Sequence, residues 1–192
     1  MIAYENSRRT VFAADNYSHW KEPFDKLEMM LKISCEVVKE FIKDAGPFFN
    51  NEERLLFKAI SALHGNGCLV AQEIFALMRA GYASGALARW RKMYEIEVTA
   101  LYLKENGRGV GNELAQRYLD YSVIEQYKKV GIYAKSSEIF DAHSKKLGYQ
   151  PYPKEDIDTL KGQYEHLRNT KYDPNYCKAY GWTTSIEKKK RV

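Results

Sequence analysis

The stretch "ALARWRKMYEIEV", residues 86 to 98, places Arg91 and Glu95 one helical turn apart in a segment whose apolar residues recur at helix spacing. A guanidinium beside a carboxylate can do three kinds of work. It can hold an anion, with the carboxylate orienting the arginine fork; it can serve acid and base chemistry; or it can lock one helix against its neighbour through a two-point ion pair. On a helical wheel Ala83, Leu87, Trp90, Tyr94, Val98 and Leu101 share one face, Arg91 stands at the border of that face, and Glu95 lies just beyond it. Arg89 and Lys92 are expected to point to solvent. Arginine preceding glutamate is the weaker order for an i,i+4 pair, which when exposed contributes only about 0.2–0.5 kcal/mol. Helix propensity alone is therefore a poor reason for the pair.

A second group of residues sits in the C-terminal third, where Arg168, Lys171, Tyr172, Tyr176, Tyr180 and Trp182 precede the basic run Lys188, Lys189, Lys190 and Arg191. Aromatic faces for stacking beside cations for phosphates are what RNA or single-stranded DNA requires. The same tyrosines could instead seal a helical core, with the lysines solvating its rim.

Other chemistry finds little support. His19, His64, His143 and His166 show no H-E-x-x-H and no paired metal-ligand spacing. Cys35, Cys68 and Cys177 are odd in number and widely spaced, which reads as buried free thiols. "GRGVG", residues 107 to 111, follows a helix and lacks the lysine of a phosphate loop, so it reads as a connection. Small helical ribonucleases of bacterial defence systems often place a histidine about five to seven residues after an arginine, and that spacing does not occur here. Neither a metal nor a cofactor is expected, and no complete catalytic set is visible.

The elements that must position these residues are helices. At 192 residues the chain is long enough to bury a real core, and 29% charged with 45% apolar residues is the balance of a water-exposed globular domain. A net charge of +5 only weakly favours anionic partners. No apolar run reaches the length of a membrane span, and the N-terminus has Arg8 and Arg9 but no apolar core of a signal peptide, so a cytoplasmic protein is expected. Leu27, Leu31, Ser34, Val38 and Ile42 mark a helix from Pro23 to about Ala45, ended by Gly46 and Pro47. A second helix starts with Asn50 or Asn51 as its cap and runs to the turn at Gly81. Its "HGNGC", which costs about 2 kcal/mol of helix propensity, predicts a kink or a close helix contact.

A third helix, 82 to about 105, carries the opening stretch, and "NGRGVGN" ends it. Further helices are predicted over 113 to 130, about 136 to 147, and 154 to 170, the last acidic at its start and basic at its end. Beyond Trp182, Thr184 and Glu187 have capping-box spacing, so a helix is expected to begin there, with the chain either a fragment or docking this tail on a partner. The expected organisation is an N-terminal arm (1–22), a helical domain (23–170) and an irregular aromatic and basic segment (171–192). The fold class is all-α, a single helical bundle of five to six helices with a long antiparallel hairpin formed by the second and third.

"GYASGALARWRKMYEIEVTALYL" resembles the signature helix of an uncharacterised, mostly bacterial family, the domain of unknown function 5677. The matching residues are Ala86 or Ala88, Arg91, Glu95, Val98, Tyr102 and Leu103, with fainter likeness in "AQEIFALMRAG" and "YGWTTSIEKKKRV". The resemblance implies an all-helical fold and brings no established activity. Two functions follow as expectations: a helical interaction protein, self-associating as a homo-oligomer, or a nucleic-acid-binding protein of bacterial defence or toxin type. A small-molecule enzyme using Arg91 as anion clamp is a third.

Overall fold

A computed structural model describes residues 2–45, 51–107, 113–135, 137–148 and 153–183. Seven α-helices follow in order: α1 (Ile2–His19), α2 (Lys21–Ala45), α3 (Asn51–Arg79), α4 (Ala83–Asn106), α5 (Glu113–Lys135), α6 (Ser137–Lys146) and α7 (Lys154–His166). The described residues contain no strand, so the all-α expectation holds. The count exceeds five to six because residues 2–19, expected as part of an arm, also form a helix. The chain divides into two compact units, residues 1–112 and 113–192.

In the first unit α3 and α4 pack as an antiparallel hairpin. Leu77 near the end of α3 reaches Gly85 at the start of α4, Gly67 in mid-α3 faces Met93 and Ile96, and Leu56 reaches Gly107 just past the end of α4. The turn between them is a Schellman motif. Tyr82 N–H donates to the Leu77 carbonyl at 2.8 Å, Gly81 N–H donates to that of Met78 at 3.0 Å, and Gly81 adopts the left-handed φ of 81° that the motif needs. Asn16 of α1 completes the end of α3, its Nδ2 donating to the carbonyls of Met78 (2.9 Å) and Arg79 (3.0 Å). The "HGNGC" segment leaves α3 unbroken, and Gly67 faces Ile96 and Met93 across the hairpin, at a distance where a Cβ would make only ordinary contact.

Helix α2 also packs along α3, with Phe24 buried and Leu27, Leu31, Cys35 and Val38 half-buried, the face its i, i+3, i+4 pattern indicates. The core of this unit comprises Ala59, Leu63, Val70 and Ile74 of α3 with Ala86, Ile96 and Leu103 of α4.

The second unit is built on α5. Ala115, Arg117, Ile124 and Val130 are buried there, together with Leu160 of α7. After His166 the backbone widens into a π turn, Leu167–Lys171, then passes through 3-10 turns at Pro174–Cys177 and Gly181–Thr183 that lie against α5. Asp173 caps the first of these 3-10 turns, its carboxylate accepting from Asn175 N–H at 2.7 Å. The capping-box residues Thr184 and Glu187 lie outside the described residues.

Candidate functional site

Helix α4 is apolar on two faces, and α3 takes the one with smaller side chains. Ala86, Ile96 and Leu103 are buried and Met93 half-buried against α3, whose Ala59 is fully buried and whose Gly67 meets Met93 and Ile96. The face expected to pack is therefore turned outward. Leu87 is 63% exposed, Trp90 60% and Tyr94 64%, with Val98 and Leu101 also exposed. The rotation corrects a second expectation: Arg89 points not to solvent but across the hairpin, where it forms an ion pair with Glu73.

Arg91 and Glu95 stand along one edge of this outward ridge, and both are exposed. They do not pair with each other. Glu95 instead accepts from Lys92 Nζ at 3.1 Å, an exposed i,i+3 contact of small energetic value. A locked ion pair within one chain, one of the roles open to these residues, is thus not formed.

The C-terminal candidates divide differently. Tyr172, Tyr176 and Trp182 are buried; Arg168, Lys171 and Tyr180 are exposed; Lys188, Lys189, Lys190 and Arg191 lie outside the described residues. Tyr172 and Tyr176 stack on each other with centroids 4.0 Å apart, and Trp182 meets Tyr118 edge-on at 5.0 Å. Their polar atoms are engaged as well. Tyr172 O–H donates to Asp120 Oδ2 at 2.8 Å and Tyr176 O–H to the Arg117 carbonyl at 2.6 Å, while Lys171 Nζ pairs with Asp120 at 2.6 Å. Rings so held are closed to base stacking; Tyr180 keeps an open face.

The residue organising this segment, Arg117, was not singled out by sequence. It is 4% exposed, its Nε donates to the Trp182 carbonyl at 3.0 Å and its Nη2 to that of Gly181 at 3.1 Å, and its guanidinium lies over the rings of Tyr172 and Tyr176. Its only local signal is an arginine one turn before Asp120 on a tyrosine-rich helix. Burial raises the pKa of both Tyr172 and Tyr176, the Asp120 carboxylate adding to the shift at Tyr172.

An apolar cleft of about 330 Å³ lies between α2, α3 and α4, with His64 and Cys68 at its polar edge. His64 Nε2 sits 3.1 Å from the Ser34 carbonyl, which can only accept, so that nitrogen carries the proton in this contact; Cys68 Sγ lies 3.2 Å from it. His64 and Cys68 stand one helical turn apart in sequence, a pairing that the separate spacings of the histidines and of the cysteines do not display. Burial, with Cys35 nearby, pushes the Cys68 thiol up to about 11, which makes it a poor nucleophile at neutral pH. The three cysteines are free and half-buried rather than fully buried. Among the described residues no three His, Cys, Asp or Glu side chains gather as a metal site, and no helix is long and apolar enough to cross a membrane.

Fold and surface together define an all-helical protein whose hairpin presents an uncovered apolar ridge. The chain belongs to a family of unknown function, DUF5677, whose model matches residues 57–191. No curated protein and no solved structure matches it.

Proposed function

We propose that this protein is a helical interaction module that associates with further copies of itself through the first unit. The observation that carries the reading is the outward face of α4, where Leu87, Trp90 and Tyr94 are each at least 60% exposed in an unbroken helical stripe. Contiguous apolar surface of this kind is uncommon on a protein that works as a monomer, and tryptophan and tyrosine are the residues that anchor protein interfaces. Sedimentation analysis tests it: self-association is expected, and a monomer at every reachable concentration overturns the proposal.

The nucleic-acid reading has less support, because three of its four aromatic faces are buried. It retains Arg168 and Tyr180 as exposed contacts. Salt-dependent binding of RNA or single-stranded DNA would restore it, and no binding even at low salt removes it.

A further inference from the structure

We infer that two copies of this chain meet α4 against α4, antiparallel, across a two-fold axis near Tyr94, with Arg91 of each copy paired with Glu95 of the partner subunit. The inference rests on the self-association proposed above and specifies its surface, direction and register.

The ridge reads the same in both directions. Leu87, Trp90, Tyr94, Val98 and Leu101 are separated by steps of three, four, four and three residues. A two-fold axis perpendicular to the helix at Tyr94 therefore brings Leu87 opposite Leu101 of the partner subunit and Trp90 opposite Val98 of the partner subunit. Large faces small in the Trp–Val layer, which suits interdigitation. An interface of this kind is isologous, each contact occurring twice. From Leu87 to Leu101 the ridge runs about 21 Å at 1.5 Å per residue.

Charge fixes the direction. Arg91 and Glu95 lie on the same edge of the ridge, one turn apart on either side of its midpoint. When two such helices pack antiparallel about an axis at Tyr94, this edge meets its own symmetry copy, and Arg91 stands two residues, about 3 Å along the axis, from the level of Glu95 of the partner subunit, an offset its long side chain spans, so both ion pairs can form at once. A parallel two-fold arrangement would instead send this edge of the two copies to opposite sides of the seam, leaving each arginine away from the other copy's glutamate. Among the described residues Arg91 has no ion pair, and the Glu95 carboxylate has only the exposed contact to Lys92. The pair that fails to close within one helix is complementary between two.

Charge exchange tests both register and direction. Arg91→Glu places two glutamates against each other across each contact, and Glu95→Arg places two arginines there. Each single variant is expected to weaken self-association by about tenfold or more, with helicity unchanged because both positions are exposed. The double variant R91E/E95R is expected to associate within about threefold of the unaltered protein. An equimolar mixture of the two single variants should form heterodimers, since every cross contact then joins opposite charges. Self-association indifferent to all these changes overturns the register while leaving the self-association reading intact. An unaltered protein that is monomeric throughout, including one whose ridge is covered by another part of its own chain, overturns both.

Discussion

Arg117 shows how much one side chain can determine in this protein. Its fork holds the Gly181 and Trp182 carbonyls, while its own carbonyl accepts from Tyr176, so one residue of α5 fixes a segment 59 to 65 positions away. Methionine would fill similar space and leave those carbonyls without their guanidinium, so Arg117→Met is expected to cost about 2–4 kcal/mol in urea unfolding followed by Trp182 fluorescence. A loss below about 0.5 kcal/mol would show that water replaces the fork without penalty. The tyrosines beneath it add a pH dependence. Burial raises their pKa above the ordinary value of 10.0, so the folded state favours the neutral phenol. That contribution is fully present below pH 10 and declines as pH rises beyond it towards the folded-state values. Tyrosinate absorbance should accordingly show late-titrating groups, and stability should fall on the alkaline side; Tyr172→Phe should remove part of the decline. None of this was legible in the sequence. An arginine among tyrosines carries no sign that its partners are carbonyls of distant residues, whereas Arg91 and Glu95, whose position depends on one helix alone, could be placed at the edge of a ridge from spacing.

Helix limits were legible because they are local. Residues 82 to about 105 were expected as a helix and Ala83–Asn106 is one; the turn at Gly81 and the ending at "NGRGVGN" follow from backbone chemistry carried in a few residues. The face that α4 would bury was not legible, because two of its faces are apolar and the wheel favours the larger side chains. In the folded hairpin the face with Ala86, Met93, Ile96 and Leu103 is turned inward instead, with Gly67 opposite Met93 and Ile96. Gly81 couples these elements. Its φ of 81° is strained for any other residue, and a Cβ there would run into the Phe12 ring of α1. Gly81→Ala is therefore expected to lower stability by about 1–2 kcal/mol from backbone strain alone, with further loss if Phe12 is displaced. Gly81→Ala combined with Phe12→Ala should recover the second part and not the first, a separation that denaturant midpoints can read.

Across the whole molecule, the two compact units make different predictions, although the family match at residues 57–191 spans parts of both. The ridge proposed for self-association belongs to residues 1–112, while the Arg117 network belongs to residues 113–192. Association stabilises by mass action whatever it binds, by about 2.7 kcal/mol when the partner is present at a hundred times its dissociation constant. If copies meet through α4, that stabilisation acts on the unit containing α4 and grows with protein concentration. Hydrogen exchange read peptide by peptide at two concentrations separates the units, because sub-global openings report local rather than averaged stability. Peptides from α3 and α4 are expected to exchange more slowly at the higher concentration, and peptides from α5, α7 and the turns after α7 to exchange at the same rate. Slowing confined to residues 113–183 would move the interface to the second unit. Rates independent of concentration throughout would leave the apolar ridge without a partner copy.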